Sequence, residues 1–157
     1  MLIGVISDTH GLLDPKVDEL FTGVDLILHG GDVGGRDILT ALSATAPVLG
    51  VRGNVDVEDP SSCSSLPESL LLTAAGVHLY MTHVFTPSDE GVGGDDTHAA
   101  DVVIFGHSHQ QYLATYEGVL YFNPASAGRK RFRNPRSVGL IEIGAQGAVE
   151  ARFESLE

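Results

Sequence analysis

One cysteine, Cys63, stands in 157 residues, so no disulfide can form within the chain and no thiolate cluster can hold a metal. A lone thiol fits a reducing compartment, and any bound metal must be held by His, Asp, Asn or Glu. Basic residues are scarce as well. Nine Lys and Arg, of which only Lys16 and Lys130 are lysines, stand against twenty-one acids, for a net charge of −12. Such a surface repels nucleic acid over most of its area and favours solubility. No apolar run approaches the roughly 18 residues of a membrane span. The opening Met1-Leu2-Ile3-Gly4-Val5-Ile6 has no basic segment or cleavage site and reads as a strand rather than a targeting peptide. A cytoplasmic protein without a membrane partner is expected. There is no Walker A motif and no Gly-x-Ser-x-Gly elbow, which leaves P-loop NTPase and serine-hydrolase chemistry without support.

Hydrophobic residues make up 43% of the chain and charged ones 19%, a globular balance with enough apolar material for one domain over residues 1–157. Residues 2–6, 24–28 and 47–51 are short apolar runs separated by helical spacing over 13–22 and 36–44, with Asp14-Pro15 opening and Gly23 closing the first helix. This β-α-β-α-β order implies parallel strands with right-handed crossovers. A Ser-, Asp- and Pro-rich loop is expected over 57–67. A hairpin over 69–73 and 77–82 follows, then a mobile loop or lid over 85–97. Residues 102–105 form another buried strand. Those at 111–116, 119–123, 137–143 and 149–153 read as antiparallel strands joined by glycine-containing turns. The expectation is a parallel sheet from the first half and a mostly antiparallel one from the second, packed face to face with helices outside.

Successive strands end in the same kind of residue. Asp8 and His10 follow the first, Asp32 the second and Asn54 the third; His83 follows the hairpin, and His107 and His109 follow Val102-Val103-Ile104-Phe105-Gly106. Each has an ordinary reading alone: Asp8-Thr9-His10 as an Asx turn, Asp32 as a helix N-cap, Gly53-Asn54 as a turn pair. Together they place oxygen and imidazole donors at the carboxyl ends of strands, where open α/β sheets bind ligands. Mixed imidazole and carboxylate donors favour Mn, Fe, Zn, Ni or Co over Mg or Ca.

The series Asp-x-His, Gly-Asp, Gly-Asn-x-Asp, a strand-terminal His and Gly-His-x-His resembles the calcineurin-like metallophosphoesterases. With the small size and the late Asn123-Pro124-Ala125-Ser126, it is most similar to their short bacterial and archaeal phosphodiesterase branch. It also resembles the metallophosphoesterase-like subunit of retromer. The resemblance spans nearly the whole chain. It implies a single-domain, four-layer α/β/β/α sandwich with mixed sheets and two divalent transition metal ions, manganese first among them. Asp8, His10 and His109 would bind one ion, Asn54, His83 and His107 the other, and Asp32 would bridge them. It further implies hydrolysis of a phosphodiester by a hydroxide shared between two ions about 3.5–4 Å apart. Two divalent ions, two aspartates and one hydroxide leave a charge of +1, which matches a phosphodiester better than a dianionic monoester.

Departures from the family pattern refine this. Val55 occupies the slot where the protein-phosphatase relatives have a histidine able to protonate the leaving group, so a preference for good leaving groups and no protein phosphatase activity are expected. Val84 stands after His83 where relatives usually have glycine, and Ala125 replaces the glycine of the Asn-Pro-Gly-Ser loop. The run Arg129-Lys130-Arg131-Phe132-Arg133 with Arg136 holds five of the nine basic residues. It reads either as a solvated loop or oligomer contact or as a phosphate-steering patch, in which Arg129 and Arg131, with Asn54, would touch substrate. Arg52, His29, His78 and His98 read as supporting or structural. The expected partner is a small phosphodiester, with homo-oligomerisation open; a metal-dependent nuclease and a non-catalytic scaffold of the same fold are the alternatives.

Overall fold

The computed structural model describes residues 1–58, 63–87, 100–131 and 133–157. Elements follow in the order β1 (Leu2–Ile6), α1 (Lys16–Leu20), β2 (Leu26–His29), α2 (Arg36–Ser43), β3 (Val48–Gly50), α3 (Asn54–Glu58), β4 (Ser69–Ala74), β5 (Val77–Thr82), β6 (Val102–Ile104), β7 (Gln111–Tyr116), β8 (Val119–Pro124), β9 (Ser137–Ile143) and β10 (Val149–Ser155). They build an α/β sandwich of two five-stranded mixed sheets, ordered β10-β9-β1-β2-β3 and β4-β5-β6-β8-β7.

Side-chain alternation along each strand sets the layers. On β1, Ile3 and Val5 face the second sheet, while Ile6 faces the helices; on β2, Leu26 and Leu28 face inward and Ile27 outward. The core between the sheets is closed from the other side by Leu79, Met81, Val102, Ile104 and Phe122. A second core beneath α1 and α2 holds Val17, Phe21, Ile38 and Leu42. The outer face of the second sheet carries Val103, Phe105 and Tyr121, with Tyr80 and Phe85 against them. Among the described residues no helix covers that face. The expected lid over 85–97 is described only through residue 87, and its remainder and His98 fall within residues 88–99, outside the described residues.

Four expectations need correction. The late strands do not all join the second sheet. β9 pairs antiparallel with β1, with Ile3 opposite Ile141, and β10 pairs with β9. The reason is burial on both faces of β9: Ile141 and Ile143 enter the inter-sheet core, while Val138 and Leu140 face the helices. Such a strand belongs inside a sheet covered on both sides. β8 in turn runs parallel to β6, not antiparallel, because β7 folds back outside it as the edge strand. The first helix spans Lys16–Leu20 only, since Asp14 precedes Pro15 and is thereby biased out of the α region; its side chain instead accepts the Lys16 N–H at 3.0 Å. Finally, residues 54–58 form a helical turn where the expected loop begins. Asp56, its third residue, reaches back to accept the Gly53 N–H at 2.8 Å, half of a capping box.

His29 ends β2 fully buried. Its Nδ1 accepts the Gly31 N–H at 3.2 Å, so the network assigns the ring proton to Nε2, which donates to Thr9 Oγ1 at 3.0 Å; that hydroxyl donates on to the Val33 carbonyl at 2.8 Å. A second ring proton would face the Gly31 N–H. Burial, the leading cause, and this network hold the His29 pKa at about 4, against an unfolded value of 6.5. Between those values the unfolded chain binds a proton that the folded chain refuses, so His29 costs stability as pH falls. Relative to His29→Asn, which keeps the Nδ1-type acceptor and cannot titrate, the wild type should lose roughly 3 kcal/mol more between pH 6.5 and 4. Urea unfolding of EDTA-treated proteins checks this, and parallel pH profiles would refute it.

Candidate metal centre

The carboxyl ends of β1, β2, β3, β5 and β6 meet at one rim, knitted by main-chain bonds. The Asp8 N–H reaches the Gly31 carbonyl at 3.0 Å, the His10 N–H the Asp32 carbonyl at 3.0 Å, and the Gly106 N–H the His83 carbonyl at 3.1 Å. Asp8, His10, Asp32, His107 and His109 all adopt left-handed backbone, with φ of 53°, 47°, 52°, 68° and 56°. That region is uncommon for residues with a Cβ, and clusters of it mark sites where side-chain direction is fixed at the expense of local backbone energy. Two glycines permit the close approach. A Cβ on Gly53 would strike the Asp32 carboxylate and main chain, and one on Gly106 would strike the Ser7 hydroxyl and the Asp8 carboxylate.

Each aspartate is tethered by one oxygen and presents the other. Asp8 Oδ2 accepts the Ser7 hydroxyl at 2.6 Å and the His107 N–H at 3.1 Å. Its Oδ1 lies 3.2 Å from His109 Nε2, 3.9 Å from His10 Nε2 and 4.0 Å from His83 Nε2. Asp32 Oδ1 accepts the Val55 N–H at 3.0 Å, while Oδ2 lies 3.3 Å from His83 Nε2 and 3.7 Å from His10 Nε2. Two triads result, Asp8 with His10 and His109, and Asp8 with Asp32 and His83, each with its donor atoms within 4.8 Å of one another. The His107 ring packs edge-on against His83 with centroids 5.3 Å apart, and Asn54 lines the same cleft as His83. The sequence grouping of Asn54, His83 and His107 is therefore a neighbourhood here, with His83 turned toward the two aspartates.

The donor set fits a cation. His83 Nδ1 donates to the Gly30 carbonyl at 2.8 Å, which leaves a lone pair on Nε2 aimed at the Asp32 carboxylate. Two electron-rich atoms face each other there, and Asp8 Oδ1, His83 Nε2 and His109 Nδ1 are buried without a hydrogen-bond partner. A positive charge between the groups answers that arrangement. The titration of the side chains carries the same field. Burial by itself would lower His83, but contact with Asp32 and the charges of Asp8 and Asp32 lift it above its ordinary value. Burial pushes Asp32 up, yet His83, the Val55 N–H and His10 hold it at about 2. His10 is lowered, first by burial and then by Arg131, over the opposing pull of both aspartates.

The model of the calcineurin-like phosphoesterase superfamily domain matches residues 1–146. The chain belongs to that superfamily. It is 36% identical over 155 residues to a probable metallophosphoesterase of Methanothermobacter thermautotrophicus, covering 93% of this chain and 88% of the relative. It is 28% identical over 173 residues to the phosphodiesterase YfcE of Escherichia coli, covering 96% and 92%. Among solved structures, Vps29 of Chaetomium thermophilum superposes with a TM-score of 0.77 at 20% identity, covering 99% of this chain and 95% of that one, a likeness of fold.

Around the centre of this phosphoesterase lie supporting residues that the sequence reading passed over. Buried Asp56 accepts three main-chain N–H groups, from Val33 at 3.1 Å, Gly34 at 3.0 Å and Gly53 at 2.8 Å, clamping the turn after β3 to the turn after β2. Asn123 donates to the Gly106 carbonyl at 2.8 Å and the Ser108 hydroxyl at 3.1 Å, and its oxygen accepts the Ala125 N–H at 2.9 Å. Ser126 donates to the Asp8 carbonyl at 2.9 Å. Gly-Asn-x-Asp and Asn-Pro-Ala-Ser were visible as strings, but the partners that give Asp56 and Asn123 their work lie far off in sequence. The basic run divides. Arg136 is structural, donating to Asp14 at 2.7 Å and to the Gly128 and Ala127 carbonyls at 2.6 and 3.1 Å, and Lys130 meets Glu157 at 2.8 Å. Arg129, Arg131 and Arg133 are exposed, and the charge of Arg131 bears on His10. Asp56→Asn turns an amide toward those N–H groups. It should cost about 2–3 kcal/mol in urea unfolding and weaken metal binding tenfold or more by calorimetry; an unchanged affinity would refute the positioning role.

Proposed function

We propose that this chain is a metal-dependent phosphodiesterase. The carrying observation is the pair of tethered aspartates whose free oxygens face a ring of imidazoles, with His83 oriented by its bond to the Gly30 carbonyl. Asp8, His10 and His109 would hold one divalent ion, Asn54, His83 and His107 a second, and Asp32 would serve both. Such a pair supplies the charge that generates a nucleophile from water at neutral pH and stabilises both the attacking and the leaving oxygen of an in-line displacement. The protein's own part is rigid aim. The Ser7 hydroxyl and His107 N–H fix Asp8, the Val55 N–H fixes Asp32, and the Gly30 carbonyl fixes the His83 tautomer.

Two carboxylates among otherwise neutral donors leave the loaded centre cationic, suited to the single negative charge of a diester. Arg131 adds positive charge beside His10, and with Arg129 and Asn54 it is assigned to drawing in the phosphoryl group. Val55 brings no proton donor to the site. A basic run with two members already spent on Asp14 and Glu157 favours a small substrate over a nucleic acid.

Manganese-loaded protein should hydrolyse bis(p-nitrophenyl) phosphate with a kcat/KM at least tenfold above that for p-nitrophenyl phosphate, and EDTA should abolish the activity. Faster monoester turnover would refute the diester preference. Asp32→Asn should lower kcat/KM more than a hundredfold while retaining the Val55 contact. A metal count near zero after loading would point to a scaffold. Val55→His should speed diesters with poor leaving groups more than those with good ones, because a general acid helps most where the leaving oxygen needs a proton; equal rates would refute the assignment of that slot.

A further inference from the structure

Beside Asn54 and His83 the rim opens into a cleft of about 250 Å³. Its walls include Val57 and Val84, 60% and 54% exposed and among the most exposed large apolar side chains of the described residues. Single exposed valines are ordinary on a protein surface, but two on one cleft adjoining a candidate catalytic centre form a small apolar surface with no core to join. The rest of the lining is polar: Asn54, Thr82, His83 and Arg52, whose guanidinium lies 3.4 Å from the Glu68 carboxylate, which is also on the cleft. With an acid beside the one arginine lining the cleft among the described residues, the cleft does not favour a second phosphoryl group. The volume falls below the roughly 300–1,000 Å³ of sites for drug-sized ligands, which suits one substituent rather than a polymer.

We infer that the Val57–Val84 cleft is the specificity pocket of the proposed phosphodiesterase, holding one uncharged, ring-bearing ester substituent of the substrate while the phosphoryl group lies at the Asp8–Asp32 centre. The inference rests on the phosphodiesterase reading. The main chain on both sides of the cleft is already held, by the Arg52 N–H on the Pro67 carbonyl at 2.9 Å on one side and by the Gly106 N–H on the His83 carbonyl at 3.1 Å on the other, so a ring enters a preformed space.

The test measures binding by calorimetry to the manganese-loaded full chain, with two monoanionic probes that carry no ester bond, methyl(phenyl)phosphinate and dimethylphosphinate. The wild type should bind the phenyl probe at least fivefold more tightly. In the Val57→Ser/Val84→Ser double variant the ratio should fall below fivefold, and in Leu12→Ser, an exposed apolar residue outside the cleft, it should stay above. Thermal melts of all three proteins establish that the variants fold, and each single valine variant serves where the double does not. A wild-type ratio below fivefold, or one that survives in the folded valine variants, overturns the pocket. If the wild type hydrolyses bis(p-nitrophenyl) phosphate yet lacks the ratio, only the pocket fails; if it binds neither probe and hydrolyses no diester, the phosphodiesterase reading fails and takes the pocket with it.

Discussion

Asp8 is pinned on every polar atom but one, and the rest of the site is arranged around that. Its N–H bonds the Gly31 carbonyl, and its carbonyl accepts Ser126 Oγ and the Gly128 N–H at 2.9 and 3.1 Å. One carboxylate oxygen takes the Ser7 hydroxyl and the His107 N–H. Contacts thus arrive from the turns after β1, β2, β6 and β8, which belong to both sheets. Only Oδ1 is left, and it points at imidazoles. A buried carboxylate with one oxygen satisfied twice and the other left without a hydrogen-bond partner is a strong electrostatic demand on whatever occupies the space in front of it.

The left-handed backbone at Asp8, His10, Asp32, His107 and His109 follows from the same demand. A strand leaving a sheet in ordinary geometry would carry its side chains onward along alternating faces. Turning the chain through positive φ at each of these positions brings the side chains inward at the rim, and bonds such as His10 N–H to the Asp32 carbonyl hold the turn there. The closeness of Gly53 to Asp32 and of Gly106 to Asp8 shows how little space remains. Rigidity of this order suits a centre whose work is charge placement rather than movement.

The candidate donor residues stood out in the sequence because each sits at the end of an apolar run, and apolar runs are what a sequence displays most clearly. Sheet membership was not. Residues 137–143 have the composition of any buried strand, and only the pairing of Ile141 with Ile3, far off in the chain, assigns them to the first sheet. The short turn at 54–58 was missed because its stabilising feature is Asp56 reaching back to Gly53 rather than an apolar stripe. The fates of Arg136 and Lys130 were equally hidden, since Asp14 and Glu157 lie 122 and 27 residues away from them. For β9 and for the basic run the deciding partner is distant, and local periodicity carries no information about it.

The place of β1 sets a condition on how the molecule comes into being. This strand lies between β2, which follows within 30 residues, and β9, which pairs Glu142 with Leu2. Asp8 therefore leaves the ribosome 118 residues ahead of Ser126, which with Gly128 and β9 completes the seat of Asp8 and His10. Closing a loop of that length is slow relative to forming local hairpins. The nascent chain must carry half-built sheet edges until β9 emerges, and the candidate centre lacks its native geometry before then.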